Sequence, residues 1–209
     1  LHHLVQFFSK EQKPILVGHS WGAVLALLYA AKHKTSAHGI VVIGTGPLDI
    51  SVASKMNINI GRRLEKKDKQ KITALKKQIV VEKDEKNKAL LDLAFLKLVL
   101  PHYNVSHRSL SCLQLGLRNT KTVDKCSADY TEKLTKGSLV RCLKKISLPV
   151  TGIYGYCDPI PVPLNTSLLK KNIPQYTDII IKNAGHFPWL EPKARQVFLR
   201  KLKLVLRHM

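Results

Sequence analysis

Four short apolar runs stand apart from the rest of the chain. The first is Pro14-Ile15-Leu16-Val17, continuing to residue 19, and the second is Ile40-Val41-Val42-Ile43. The third is Val150-Thr151-Gly152-Ile153-Tyr154, and the fourth is Ile179-Ile180-Ile181, headed by Asp178. Each is too short for a helix and is punctuated by turn residues: Gly44-Thr45-Gly46-Pro47 closes the second and Leu148-Pro149 opens the third. They predict buried strands. Helical patterns follow at 22–33, 163–172 and 191–207. In the last, Val197, Leu199, Leu202, Leu204 and Val205 form an apolar face with lysines and arginines between. Short unbroken strands alternating with helices predict an α/β fold, a parallel sheet covered on both faces.

The middle reads differently. Residues 50–145 contain no convincing strand. Leu64, Ile72, Leu75 and Ile79 mark a helix over 62–80, and the run from Ala89 to Leu100 marks another over 86–100, stopped by Pro101. The chain therefore divides into 1–49, an elbow half of a core; 50–145, a helical cap inserted into the sheet; and 146–209, the second half of the core. Residues 1–8 look like the end of an amphipathic helix.

Composition changes this picture little. A chain of 209 residues holds one sizeable core. No apolar run is long enough to span a bilayer, and the first residues lack the charged start of a secretory signal. The net charge of +21 invites a nucleic-acid reading. However, 27 of the 35 basic residues are lysines spread along the whole chain. The densest piece, residues 62–71, mixes both signs, and no basic stripe has interleaved aromatics. No specific nucleic-acid partner is expected, only salt-dependent adhesion to polyanions. Cys112, Cys126, Cys142 and Cys157 form no CxxC pair, so thiolate metal ligation is not expected. Unpaired thiols suit a reducing compartment, and cytoplasmic is the default localisation.

The candidate chemistry sits where the first strand ends. In Gly18-His19-Ser20-Trp21-Gly22, a G-x-S-x-G turn links a strand to an Ala- and Leu-rich helix. Such a turn strains the serine backbone and stands its hydroxyl clear of the sheet, and small residues are expected on both sides. The helix beginning at Trp21 points its amides at the site, and the Trp21 amide would be one oxyanion donor. A serine nucleophile needs a base, and the base an orienting acid. His186 follows the fourth strand. Asp158, in Tyr154-Gly155-Tyr156-Cys157-Asp158-Pro159, follows the third. Both fall at strand C-terminal ends, where α/β sheets place reactive groups. Asp178 precedes its strand, Asp49 is a weaker competitor, and Asp124 and Asp129 belong to the cap. His19 is expected to pack or bond locally, and His102 and His107 to lie in the cap, where they could line a pocket but more readily sit at its surface. His2, His3, His33, His38 and His208 read as surface residues.

GHSWGAVLALLYA, GTGPLD, LPVTGIYGYCDPIP and NAGHFPWLEP together resemble the α/β-hydrolase superfamily. Within it they look most like the proline iminopeptidase-like, serine aminopeptidase group. The resemblance implies a Ser20, Asp158 and His186 triad, an acyl-enzyme mechanism and no metal or organic cofactor. It implies a small ester, amide or short peptide as substrate, an N-terminal prolyl peptide among them. Members of this superfamily carry about four strands before the elbow, and residues 1–13 have no room for them. The chain therefore reads as a fragment of a longer hydrolase, with the elbow strand as an exposed edge and the second oxyanion donor unassigned. The alternative is a catalytically inactive remnant. The group's cap carboxylates cannot be matched here: Glu82, Glu85, Asp129 and Glu132 lie in mixed-charge runs. A basic cap would suit an anionic substrate.

Overall fold

The computed structural model describes residues 1–9, 12–106 and 113–209; His107 and Cys112 lie outside the described residues. Four strands, β1 (Ile15–His19), β2 (Gly39–Ile43), β3 (Val150–Gly155) and β4 (Tyr176–Ile181), form one parallel sheet in the order β1-β2-β3-β4. The register sets Val17 beside Val41, Val41 beside Thr151, and Thr151 beside Thr177.

Because the strands are laid down in one direction, right-handed crossovers put every connection on the same face. That face packs against α2 (Trp21–Lys32), α7 (Ser138–Leu143) and α8 (Val162–Asn172), around Ile40, Val42, Val150 and Tyr154. The alternate residues Val41, Ile43, Ile153 and Ile181 point the other way, onto Phe198 of α9 (Arg195–His208). Ala23, Leu27 and Ala30 of α2 are fully buried. The small alanines let the helix lie close to the sheet, which fixes where its N-terminus opens.

Between β2 and β3 the described residues are helical or irregular: α3 (Ile50–Arg63), α4 (Lys66–Val81), α5 (Glu85–Val99), a 3₁₀ turn at Leu100–Tyr103, α6 (Thr120–Thr135) and α7. Helix α1 (His2–Phe8) rests on α2, with the rings of His2 and His33 stacked 4.1 Å apart and His2 Nδ1 3.1 Å from the Tyr29 hydroxyl. His2 and His33 are thus half-buried rather than plainly on the surface.

Several expectations need correction. The helix expected over 62–80 is two helices. Arg63, the last residue of α3, is anchored elsewhere, and Leu64 and Glu65 are extended before α4 begins. Helix α9 starts at Arg195, not 191, because Pro188–Leu190 is a 3₁₀ turn and Glu191 is turned back toward the preceding loop. The first strand is the exposed sheet edge that was expected, and there its apolar run is only partly buried, with Val17 48% exposed. Asp178 does not precede β4 but lies within it, paired with Lys170 of α8 at 2.6 Å.

Candidate active site

Ser20 joins β1 to α2 at φ 54° and ψ −117°. Among the described residues other than glycine, only Ser20 and Asn183 have positive φ. Such a backbone costs about 1–3 kcal/mol and persists only where neighbours over-determine it. The Ser20 N–H donates to the Ile43 carbonyl at 3.0 Å. Its own carbonyl accepts from Ala23 at 3.2 Å, Val24 at 3.3 Å and Gly46 at 3.1 Å. The elbow is thus held by its own helix and by the chain leaving β2.

The two flanking glycines are not equivalent, contrary to the sequence reading. A methyl at Gly18 would lie 2.4 Å from the Gly22 carbonyl oxygen and 2.7 Å from Ala23 Cα. A methyl at Gly22 would meet no atom within 4 Å. Gly18 is required for close approach, and Gly22 is the backbone it approaches.

Asp158 and His186 meet directly. Both side chains are buried, with His186 Nδ1 donating to Asp158 Oδ2 at 2.8 Å. Asp158 Oδ1 accepts from the Ile160 N–H at 2.9 Å, which fixes the carboxylate plane. Gly44, at the end of β2, passes beneath the pair. Its φ is +46°, and a methyl there would lie 3.0 Å from His186 Nδ1 and 3.3 Å from Asp158 Oδ2.

Ser20 reaches this pair through its neighbour. His19 Nε2 donates to the His186 carbonyl at 3.0 Å, and the two rings are 4.6 Å apart. Since a carbonyl only accepts, His19 carries its proton on Nε2. Burial, then the adjacent charge of His186, lowers its pKa to about 3. Of the two expectations for His19, packing holds, against Phe187 and Trp189 as well, but its hydrogen bond is long-range rather than local. The hydrogen bonds of His186 run to Asp158, His19 and the Tyr103 carbonyl, and none among the described residues goes to Ser20.

The sequence reading missed the groups that hold the histidine loop. Glu191 is 2% exposed. Its Oε1 accepts from Val105 at 2.6 Å and Gly185 at 3.2 Å, and its Oε2 from Ser106 at 3.2 Å. The carboxylate thus ties the loop to the chain after the 3₁₀ turn. Asn104 Oδ1 accepts from the Phe187 N–H at 2.9 Å, and His186 N–H donates to the Tyr103 carbonyl at 2.9 Å. Arg63 donates to the carbonyls of Cys157 at 2.7 Å and His102 at 2.9 Å, linking α3 to the acid loop. The Tyr103 ring lies 5.2 Å from His186, and burial, then the charge of Asp158, pushes its hydroxyl up to about 12. The one available signal was a glutamate inside the apolar run GHFPWLEP, where a buried carboxylate demands donors.

The other candidates are used elsewhere. Asp49 caps α3, accepting from Ser51 at 2.7 Å. Asp124 pairs with Lys88 at 2.6 Å, and Asp129 pairs with Lys133. His102 is buried at 7% exposure, not on the surface. Cys126, Cys142 and Cys157 are free thiols. Among the described residues no group of three or more His, Cys, Asp or Glu is arranged to hold a metal ion, and no helix is long and apolar enough to cross a membrane.

Comparison with known proteins bears on the fold and the family. The family described as alpha/beta hydrolase fold matches residues 9–192. Proline iminopeptidase PfmaB of Pestalotiopsis fici is 25% identical over 182 residues, 87% of this chain and 63% of that protein. The chain thus spans less than two thirds of the length of that curated relative. A monoacylglycerol lipase of Paleococcus ferrophilus superposes at a TM-score of 0.57 and 16% identity, over 100% of this chain and 73% of that one. A thermophilic esterase of Thermogutta terrifontis gives 0.56 and 16%, over 97% and 69%. These two show the fold.

Proposed function

Because the chain belongs to the alpha/beta hydrolase fold family, we propose that it is a serine hydrolase acting through Ser20, His186 and Asp158 on an ester or amide. The observation that carries this reading is the buried His186–Asp158 pair beside a serine held at positive φ. The pair leaves His186 Nε2 as the ring's free nitrogen for proton transfer, and Asp158 fixes the tautomer that makes it basic.

In this mechanism Ser20 Oγ attacks the substrate carbonyl carbon as His186 Nε2 takes its proton. The Trp21 N–H, first in α2, lacks an intrahelical acceptor by position and donates to the oxyanion. His186 then protonates the departing alcohol or amine, leaving an acyl-Ser20 ester. Water, deprotonated by His186, releases the acid and restores Ser20. Within residues 50–145 the helices before α7, which itself packs on the sheet, act as a cap, consistent with Arg63 and Asn104 reaching the acid and histidine loops. The substrate is a small ester, amide or short peptide. The likeness to a proline iminopeptidase adds N-terminal prolyl amides to the panel to be tried.

Fluorophosphonate labelling tests the reading, with mass spectrometry to locate the adduct. A modified Ser20, absent from Ser20→Ala, is the expected result. An unlabelled chain that still unfolds cooperatively would instead favour a catalytically inactive member of the family.

A further inference from the structure

A groove of about 350 Å³ opens beside the elbow, between Trp21 and α6. Resting on the hydrolase reading above, we infer that this groove is a substrate subsite selecting esters that carry a carboxylate. Trp21 directly follows the nucleophile, and its large side chain is 44% exposed at the groove wall. Val123, Cys126 and Tyr130 of α6 form the opposite wall. The Tyr130 hydroxyl donates to the Pro47 carbonyl, which fixes that wall to the chain leaving β2. The volume suits a small ligand.

The polar end is Arg118. Its Nε donates to Asp92 Oδ2 at 2.7 Å and its Nη2 to Asp92 Oδ1 at 2.6 Å. Asp92 is nearly buried, at 12% side-chain exposure, whereas Arg118 is 41% exposed. The carboxylate therefore holds the guanidinium from behind. Nη1 stays outside that pair, in a fixed fork suited to a second carboxylate. Among the described residues no acidic side chain lines the groove. A substrate ammonium would meet a cation there, with Asp92 already engaged. The net charge of +21 adds a field that draws anions and repels cations. The groove thus favours a carboxylate-bearing ester over a free amino terminus. Hydrolysis needs only water: the ester C–O bond breaks, and acid and alcohol leave.

The test compares kcat/KM within two ester series on the whole chain. Monoethyl succinate, glutarate and adipate are set against ethyl butyrate, and acetyl esters of glycolate and 3-hydroxypropanoate against ethyl acetate. Spacer length is varied so that one member reaches Arg118. At least one anionic ester should be preferred by about tenfold or more, the scale of one charge-assisted hydrogen bond. Arg118→Ala should abolish that preference, and Arg118→Lys should restore part of it. Thr122→Glu gives an independent check, because it adds a carboxylate to the groove without touching the Asp92 pair. Thr122 is exposed in the first turn of α6, where an acidic residue suits the helix. That variant should also lose the preference, and it decides alone if Arg118→Ala does not fold. Anionic and neutral esters turned over equally by a chain that labels at Ser20 would overturn the subsite alone. A preference surviving Arg118→Ala and Thr122→Glu would do the same. No label and no hydrolysis would overturn the hydrolase reading, and the subsite with it.

Discussion

The two halves of the candidate site are built in different ways. The elbow is mostly local: Gly18, Ser20, Gly22 and Ala23 lie within six residues of one another, and the Ser20 carbonyl bonds to its own helix, with Ile43 and Gly46 adding two bonds from the end of β2. The Asp158–His186 half is assembled from afar. Glu191 gathers Gly185, Val105 and Ser106, Asn104 holds Phe187, and Arg63 holds Cys157. A local motif can be written into a few residues, whereas a loop with little regular structure borrows its rigidity from distant chain. His19 joins the two halves, through its place in β1 and its bond to the His186 carbonyl.

Each prediction strains one half and asks whether the other notices. The largest effect belongs to Asp158→Asn. It leaves the elbow intact but favours the wrong His186 tautomer, so the rate of Ser20 labelling should fall by about 10⁴-fold with little change in the urea midpoint. An unchanged labelling rate would remove Asp158 from the mechanism. Next is Glu191→Ala, which strands three backbone donors at about 1–3 kcal/mol each. A loss of about 3 kcal/mol or more in unfolding free energy is expected. Hydrogen exchange should quicken at Gly185 and Val105 but not within α2. Glu191→Gln, which keeps one acceptor oxygen, should lose less.

The elbow can be strained separately. Gly18→Ala forces a methyl against the Gly22 backbone and should cost about 2–3 kcal/mol. Gly22→Ala, with open space around it, should change stability by about 1 kcal/mol or less and spare labelling. Comparable losses in the two variants, measured by urea unfolding, would contradict the asymmetry.

The last prediction tests the link between the halves. His19 has an ordinary pKa of 6.5 that is lowered to about 3 on folding. Between those values the unfolded chain binds a proton that the folded chain does not. This contribution to stability is therefore complete above about pH 6.5 and is lost as pH falls toward 3, at about 1.4 kcal/mol per pH unit. His19→Gln should flatten the acid limb of a stability–pH curve by that slope; an identical limb in both proteins would show that His19 is not its source.

Much of this molecule was legible in the sequence because its cause is local. Short apolar runs marked all four strands, three of them closed by Gly, and a glycine-flanked serine between strand and helix marked the elbow. Asp158 and His186 were legible by position, since each follows a strand whose C-terminal end must face the same way in a parallel sheet. Their contact is nonetheless a tertiary fact, made possible by Gly44 beneath them. Equal apolarity did not imply equal burial. Ile-Val-Val-Ile in β2 is fully enclosed, whereas Val17 in β1 is half exposed, because one strand has neighbours on both sides and the other on one. Asn104 and Arg63 carried no readable role, and Glu191 only the hint of a carboxylate in an apolar run, because a side chain that satisfies distant backbone groups leaves no periodic trace in its own neighbourhood. Local hydrophobic pattern and turn chemistry therefore determined the strands and the elbow. Long-range hydrogen bonding, driven by the cost of burying unpaired polar groups, decided how the histidine loop and the inserted helices close around them.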